Sequence, residues 1–292
     1  TITQELERPE MAADQTLVLI ADTHIQPELD DRLDGEDTFA NLKAVLARIA
    51  ASRIRPDGFI FAGDLANDGE PGSYQRLAVV VEELQEAYGV PVALTLGNHD
   101  AREAFRNDLL KRPSLTELHN DIVTVGPLRI IVLDTLVPGR PYGSLGHDQL
   151  GWLKLQLGTR AEAGTIVVMH HPPTRGGVDA LNQILLLDTE DFHDTINGTD
   201  VIGILAGHLH HPTAGVFAGV PVWSGPAVAY ALDPCWPAEA FRSVTGSGFS
   251  VINIRDRTMV ASAVMMPGTQ SEIAVTPVTP SLIERWLRPP SF

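Results

Sequence analysis

Nearly continuous apolar runs of strand length recur along the first two thirds of the chain, and they constrain the fold more than any other feature. Six such runs occupy residues 17–24, 58–65, 92–100, 129–135, 165–173 and 201–211. This pattern is typical of strands buried on both faces, because a strand with one exposed face alternates polar and apolar residues. Apolar residues at helical spacing separate most of the runs, at 37–52, 73–89 and 147–158. Strand alternating with helix predicts a layered α/β fold with a largely parallel sheet.

The pattern changes after residue 212. Short apolar segments separated by turn residues follow at 214–225, 248–256 and 258–267. Segments of this kind favour short strands with tight connections rather than strand–helix–strand units. We therefore expect a second, more antiparallel sheet packed on the first.

The C-terminal end is rich in proline and is predicted to form an arm. Residues 276–292 contain four prolines, and Trp286 is their largest apolar side chain. We predict one main domain over residues 1–265, with its core motifs in 17–225, and an arm over residues 266–292. The arm is expected to lie over the body or over a neighbouring subunit, so a homo-oligomer is predicted.

Composition excludes several classes of partner. Lys and Arg total 21 against 37 Asp and Glu, a formal net charge of −16, which argues against a surface that binds nucleic acid or an anionic membrane. Residues 1–15 lack the basic and apolar regions of a signal peptide, and no stretch reaches the ~18 apolar residues of a membrane span. The single cysteine, Cys235, suits a reducing compartment. We expect a soluble cytoplasmic protein.

Five of the six apolar runs end in side chains that commonly bind metals. Ligands of open α/β sheets bind beyond the carboxyl ends of the strands, so these side chains are expected to converge. The candidates are two carboxylates, one amide and four imidazoles: Asp22, His24, Asp64, Asn98, His170, His208 and His210. The remaining run ends in Asp134, which is expected to hydrogen-bond local backbone.

The donor types indicate the kind of metal. Oxygen and imidazole donors without thiolate suit iron, manganese or zinc. Seven ligands exceed what one open catalytic ion needs, but two ions that share a bridging carboxylate would use them all. Two such ions lie ~3.5–4 Å apart and stabilise the attacking and leaving oxygens of a displacement at phosphorus. The set therefore predicts a dinuclear site for a phosphate ester.

The motifs that carry these residues are specific as a group. They are D-x-H at 22–24, G-D at 63–64, G-N-H-D at 97–100, the first histidine of HHPP at 170, and G-H-x-H at 207–210. Together they resemble the calcineurin-like metallophosphoesterases. Within that superfamily the chain is most similar to the bacterial class III cyclic-nucleotide phosphodiesterases, whose relatives include glycerophosphodiesterases. The resemblance implies a four-layer α/β/β/α sandwich.

The resemblance also implies a role for each candidate. Asp22, His24 and His210 would hold one ion, and Asn98, His170 and His208 the other. Asp64 would bridge the two, so the implied catalytic residues are His99, Asp64 and Asn98.

His99, which follows Asn98, would hydrogen-bond a phosphoryl oxygen or protonate the leaving alkoxide, with Asp100 orienting it. Some relatives carry Asp three residues after the bridging Asp, where this chain has Asn67 followed by Asp68. Asp68 is either a substitute or a surface turn residue.

The activity implied by the resemblance is hydrolysis of 3′,5′-cyclic AMP to AMP, through attack by a hydroxide that bridges two Fe, Mn or Zn ions. Glycerophosphodiester or broad-range phosphodiester hydrolysis is the alternative within the class. A non-catalytic interaction scaffold is the alternative of another class, and the intact set of seven ligands argues against it. A phosphoprotein phosphatase is disfavoured because the chain lacks the arginine pair that binds a phosphomonoester in those enzymes.

Other polar residues receive structural interpretations. His171 and His211 adjoin predicted ligands and are expected to face away by strand alternation. Surface positions are expected for three histidines and four arginines: His119, His147, His193, Arg102, Arg140, Arg175 and Arg242.

Overall fold

The computed structural model describes residues 14–112, 117–237, 240–268 and 271–288. The start of the predicted domain, 1–13, and the end of the predicted arm, 289–292, lie outside these ranges. The strands are β1 (Gln15–Ile20), β2 (Gly58–Ala62), β3 (Val92–Thr95), β4 (Asp121–Val125), β5 (Leu128–Val132), β6 (Thr165–Val168), β7 (Val201–Ala206), β8 (Thr213–Phe217), β9 (Val220–Ser224), β10 (Ala231–Leu232), β11 (Ala240–Val244), β12 (Gly248–Arg255), β13 (Thr258–Met265) and β14 (Glu272–Pro277). The α-helices are α1 (Thr38–Ala50), α2 (Pro71–Tyr88), α3 (Arg102–Ala104), α4 (Gly146–Leu157), α5 (Thr189–Ile196) and α6 (Pro280–Leu287). Phe105–Leu109 forms a π-helical turn and Asp179–Gln183 a 3₁₀ turn.

The main strands form two mixed sheets. The first has the order β13-β12-β1-β2-β3, in which β1, β2 and β3 are parallel. The second has the order β4-β5-β6-β7-β9-β8, in which β5, β6, β7 and β9 are parallel. Antiparallel strands therefore lie only at the edges of parallel centres.

Alternate residues of each central strand pack into different layers. Leu17 and Leu19 of β1 face the second sheet, in one cluster with Ile130 and Ile166. Their neighbour Val18 faces the opposite way, in the cluster that holds the apolar sides of α1 and α2.

On the other side of the molecule, Ile131 and Val167 pack against α4 and α5. Each sheet is thus covered by helices on one face and by the other sheet on the other. The predicted four-layer α/β/β/α sandwich is confirmed.

The predicted assignment of strands to sheets is wrong. The six apolar runs divide three and three between the sheets, instead of forming one sheet. The segments after residue 212 also divide, because β8 and β9 join the second sheet whereas β12 and β13 extend the first. A parallel strand buried on both faces has the same sequence pattern in either sheet, so the pattern alone did not assign the strands.

The helix boundaries follow local signals. Asp37 caps α1 by accepting a hydrogen bond from the amide of Ala40. Pro71 begins α2, and Gly89 ends it in the left-handed conformation at φ 66°. Both helices lie within two residues of the predicted bounds.

A small third sheet is built from the C-terminal part of the chain. Its order is β10-β11-β14, and α6 follows β14. Trp286 of α6 packs on an apolar cluster that includes Leu209. The predicted arm thus contributes a strand and a helix. No helix in the described ranges has the length and apolar character that crossing a membrane requires.

Candidate metal centre

The predicted ligands lie at the carboxyl ends of five parallel strands, drawn from both sheets. Three strands of the first sheet supply Asp22 and His24 after β1, Asp64 after β2 and Asn98 after β3. Two strands of the second sheet supply His170 after β6, and His208 and His210 after β7. The site therefore lies where the ends of the two central sheets meet.

Five of the seven predicted ligands have a left-handed backbone. Their φ angles lie between 43° and 72°, at Asp22, His24, Asp64, His208 and His210. This conformation costs a non-glycine residue roughly 1–2 kcal/mol. Backbone strain of this kind clusters at functional sites, where surrounding contacts hold it in place. The spacing of these residues in the sequence did not predict the left-handed backbone.

Three glycines make room for the ligands. A Cβ atom on Gly97 would overlap the carboxylate of Asp64. A Cβ on Gly63 would lie 2.6 Å from His170 Nδ1, and one on Gly207 would lie 2.9 Å from Asp22 Oδ2. The glycines of the G-D, G-N-H-D and G-H-x-H motifs are thus required by close approach of side chains to the backbone.

One group of donors surrounds the end of β1. The ligand atoms of Asp22, His24, Asp64 and His210 all lie within 4.8 Å of one another. His24 Nε2 is 3.2 Å from His210 Nε2 and 3.5 Å from Asp64 Oδ2. Two buried imidazole nitrogens and a carboxylate at this separation are arranged as ligands of one cation.

A second group adjoins the first through Asp64. Its Oδ2 atom is 3.3 Å from His170 Nε2, and the ligand atoms of His170 and His208 lie within 4.8 Å of each other. Asn98 Oδ1 is buried and has no hydrogen-bond partner in the described part of the chain. Asp64 is therefore close to donors of both groups, as a bridging ligand must be.

Hydrogen bonds to the outer nitrogen turn the ligand imidazoles toward the cluster. His170 Nδ1 donates to the carbonyl oxygen of Ala62 at 2.8 Å, and His210 Nδ1 donates to that of Tyr230 at 3.0 Å. His24 Nδ1 lies 3.2 Å from Asn67 Oδ1. Each bond leaves Nε2 with its lone pair directed inward, which is how proteins orient metal-binding histidines.

The polar atoms left without partners indicate what the cluster binds. Asp22 Oδ2, Asn98 Oδ1 and His208 Nε2 are buried and make no hydrogen bond among the described residues. Burying such atoms unpaired is costly, so native structures rarely retain them. A pair of cations fits this donor set, because each orphaned atom is an acceptor or a lone-pair nitrogen.

The ionisation of three residues of the cluster also suits cations. Burial lowers the pKa of His208 and of His210 to about 3, so both imidazoles are neutral at pH 7. Burial alone would raise the pKa of Asp64, but the facing imidazoles of His170 and His99 hold it well below its usual range. Neutral imidazoles and an ionised carboxylate are the forms that bind metals.

His99 lies at the open side of the cluster. Its exposed ring is 4.7 Å from that of His24, measured between centroids. Its Nδ1 donates to the carbonyl oxygen of Asn67 at 2.7 Å, so Nε2 is the nitrogen free to meet a ligand. Asn67 therefore orients both His24 and His99, whereas Asp68 is exposed.

The interpretation of Asp100 as the residue that orients His99 is wrong. Asp100 is buried and accepts hydrogen bonds from the amides of Leu65, Ala66 and Gly97 and from the hydroxyl of Tyr74. It thus joins the loop that carries Asp64 to the loop that carries Asn98. Burial raises its pKa to about 6, although the amide donors oppose that shift.

His171 does not face away from the site. Its ring packs 4.5 Å from that of His208 and 4.8 Å from that of His170. Both of its nitrogens have partners, since Nδ1 pairs with Thr135 Oγ1 at 2.8 Å and Nε2 donates to the carbonyl oxygen of Pro141 at 3.2 Å. His171 is therefore a support for its neighbours, although its position alone would allow it to bind a metal. The loop after β6 is not a strand, so strand alternation did not apply.

Two residues expected at the surface belong to a network around Asp134, in which His119 is buried and Arg102 half-buried. Arg102 binds the Asp134 carboxylate through Nε at 2.7 Å and Nη2 at 3.0 Å. The amide of His119 also donates to Asp134, and the His119 ring is 5% exposed. As expected, Asp134 also accepts from local backbone, the amide of Leu136. This segment has no apolar periodicity that would have predicted burial.

Comparison with known proteins identifies relatives across most of the chain. The Calcineurin-like phosphoesterase family profile matches residues 16–212. A "Probable cyclic nucleotide phosphodiesterase" of Rhodococcus erythropolis is 37% identical over 251 residues, which cover 85% of this chain and 82% of that protein. A "cAMP/cGMP dual specificity phosphodiesterase" of Mycobacterium tuberculosis is 36% identical over 263 residues, 88% of this chain and 81% of the relative.

A solved structure supports the fold independently of sequence similarity. A dimetal phosphatase from Danio rerio superposes with a TM-score of 0.58 at 15% identity, over 86% of this chain and 99% of that one. At this identity the likeness concerns the fold alone.

Proposed function

Because this chain belongs to the calcineurin-like phosphoesterase family, we propose that it is a dinuclear metal-dependent phosphodiesterase that hydrolyses 3′,5′-cyclic nucleotides. The observation that carries the proposal is the buried set of seven oxygen and imidazole donors at the ends of five strands. The proposal of a cyclic-nucleotide substrate is supported by two relatives that are 37% and 36% identical to this chain over the aligned residues.

The donors divide into two sets that share Asp64. In the proposal, Asp22, His24 and His210 hold one ion together with Asp64. The three remaining donors, Asn98, His170 and His208, hold the other. Iron, manganese and zinc all suit these donor types.

The bound ions supply positive charge that polarises a phosphoryl oxygen and lowers the pKa of water. The protein keeps that charge effective because the donors lie in a buried site. Only two carboxylates, Asp22 and Asp64, belong to the set, so two bound ions would leave the site positively charged in a chain of net charge −16. A phosphodiester anion is attracted to such a site.

His99 is proposed to protonate the leaving oxygen. Its Nδ1 is held by the carbonyl oxygen of Asn67, so the proton to be transferred is carried on Nε2. The ring lies beside His24 and is exposed, so a substrate bound at the cluster can reach it. A positioned imidazole of this kind contributes ~10²–10⁴-fold to a rate.

Hydrolysis of glycerophosphodiesters is the second candidate. The "Glycerophosphodiester phosphodiesterase GpdQ" of Enterobacter lignolyticus is 27% identical to this chain over 75% of its length and 79% of the relative. The lower identity favours the cyclic-nucleotide assignment. The homo-oligomeric state and cytoplasmic location stay predictions.

The deciding experiment compares substrates on protein of known metal content. Purified protein loaded with Fe, Mn or Zn is assayed with 3′,5′-cyclic AMP, 3′,5′-cyclic GMP, a glycerophosphodiester and a phosphomonoester. We expect the highest kcat/KM for a cyclic nucleotide. A preference for the glycerophosphodiester would support the second candidate. An Asp64→Ala variant that retains both metals and full activity would overturn the proposal altogether.

A further inference from the structure

An aromatic side chain contacts the ligand imidazoles from the side of the C-terminal sheet. The ring centroid of Tyr230 lies 4.4 Å from that of His210 and 6.1 Å from that of His24. The carbonyl oxygen of Tyr230 accepts the hydrogen bond of His210 Nδ1. Both the backbone and the ring of Tyr230 thus hold it against the predicted metal centre. The side chain is half-buried, so part of its surface remains accessible.

Tyr230 belongs to a group of half-buried aromatic residues beside the site. They pack on a buried apolar cluster whose member Leu209 stands between the predicted ligands His208 and His210 in the sequence. The group consists of Tyr142, Tyr230, Phe241 and Trp286. The apolar surface therefore begins directly at the edge of the metal centre.

The segment that carries Tyr142 contacts a neighbour of the other set of donors. Its neighbours on both sides contact His171, since the carbonyl oxygen of Pro141 accepts from His171 Nε2 and a Cβ on Gly143 would lie 2.5 Å from the His171 ring. His171 in turn packs against His208. The segment with Tyr142 thus adjoins His208 through His171, whereas Tyr230 contacts His210, and both histidines follow β7.

The aromatic faces of these side chains offer a phosphate group neither a positive charge nor a conventional N–H or O–H donor. The phosphoryl oxygens of a diester require cations and hydrogen-bond donors, which the metal centre and His99 supply. The ring of Tyr230 lies beside that centre, where the remainder of the substrate must extend. A nucleobase is flat and aromatic, and each stacked base changes affinity by about 5- to 100-fold in proteins that use such rings.

We propose that Tyr230, assisted by Tyr142, forms the surface on which the base of a cyclic nucleotide packs. The inference rests on the proposed function and deepens it, because it assigns residues that set affinity for the nucleoside part of the substrate. The phosphate is bound at the metal centre, and the ring of Tyr230 contacts the base without taking part in proton transfer.

The test separates base binding from support of His210. KM and kcat are measured for Tyr230→Leu, Tyr230→Phe and Tyr142→Leu with 3′,5′-cyclic AMP and with an abasic analogue, the 3′,5′-cyclic phosphate of a methyl riboside. We expect Tyr230→Leu to raise KM for cyclic AMP by about 5- to 100-fold. The same variant should retain its metal content and the wild-type KM for the abasic analogue. Tyr230→Phe should stay close to wild type, and Tyr142→Leu should show a smaller, base-dependent rise.

Trp286→Leu is the matched control, because Trp286 packs on the same apolar cluster and has no ring contact with the imidazoles among the described residues. It should leave KM for cyclic AMP unchanged. The inference would be overturned if Tyr230→Leu raised KM equally for cyclic AMP and the abasic analogue. It would also be overturned if Trp286→Leu raised KM for cyclic AMP as much as Tyr230→Leu does. Either result would leave the proposed function intact. A wild-type protein that hydrolyses no cyclic nucleotide would overturn both.

Discussion

At the scale of single residues, the chemical type of the site was predictable but its supports were not. Strand-end carboxylates, amide and imidazoles are visible in the sequence as seven interruptions of apolar runs. No comparable sequence pattern identifies the residues that hold these side chains in place. His171, for example, looks like a ligand from its position, and only its two hydrogen bonds show that its nitrogens are already committed.

His99 provides the sharpest test of chemistry at one residue. His99→Ala should retain both metals, because the His99 side chain belongs to neither donor group. It should lower kcat by ~10²–10⁴-fold, since general acid help is lost. The loss should be largest for diesters with poor leaving groups, which depend most on protonation. Steady-state rates on a series of leaving groups, with metal analysis, measure this.

A substitution of His147, an exposed histidine on α4, serves as the control and should change neither the metal content nor kcat. A loss in His99→Ala that is equal for all leaving groups would reassign His99 to substrate positioning.

The burial of His119 makes the free energy of unfolding depend on pH. Burial lowers its pKa, so below pH ~6.5 the unfolded chain takes up a proton that the folded chain excludes. Its stabilising contribution is therefore complete above that pH and declines as the pH falls. His119→Gln should flatten the fall in free energy of unfolding between pH 7 and pH 5 by up to ~1.4 kcal/mol per pH unit relative to wild type.

Urea unfolding at several pH values measures the difference between His119→Gln and wild type, and other titrating groups cancel in that comparison. His147→Gln, a substitution of an exposed histidine, is measured as the matched control. Parallel pH profiles for His119→Gln and wild type would contradict the assignment.

At the scale of elements, strands and helices were predicted well because each leaves a local pattern. The helix α2, for instance, begins at a proline and ends at Gly89, and both signals are in the sequence. Which sheet a strand joins is decided by contacts between distant segments, such as β1 with β12, and no local pattern encodes them. The site was still predicted, because the carboxyl ends of both sheets meet at one place.

The ion pair between Arg102 and Asp134 connects the loop after β3 to the end of β5. The Asp134 side chain is fully buried and that of Arg102 is 12% exposed. Arg102→Ala would leave a buried carboxylate without its cation, so we expect the free energy of unfolding to fall by ~3–5 kcal/mol. Arg32→Ala is the matched control, since its pair with Asp37 is 40% and 36% exposed and should contribute no more than ~1 kcal/mol.

Denaturant unfolding of both arginine variants gives the comparison. If Arg102→Ala and Arg32→Ala lower the free energy of unfolding by similar amounts, the buried ion pair contributes no more stability than an exposed one. A loss for Arg102→Ala that vanishes in Arg102→Met would instead attribute the effect to packing of the side-chain stem.

At the scale of the whole molecule, the metal centre joins parts of the chain that are otherwise separate layers. Its donors come from β1, β2 and β3 of one sheet and from β6 and β7 of the other. Five of them hold strained backbone, and several buried donor atoms have no partner within the described residues. Cations bound to both sheets should therefore stabilise the folded state against separation of the layers.

Metal removal should accordingly lower thermal stability. A ligand present at 100 times its Kd stabilises the folded state by ~2.7 kcal/mol, which for a chain of this size corresponds to a Tm shift of about 4 °C per site. Calorimetry of chelator-treated protein, before and after addition of Mn²⁺ or Zn²⁺, measures the shift. Ca²⁺ should have little effect, because it prefers an all-oxygen site whereas four of the seven donors are imidazoles. Asp64→Ala should lose most of the shift, since Asp64 faces both donor groups, and an undiminished shift in that variant would place the ions elsewhere.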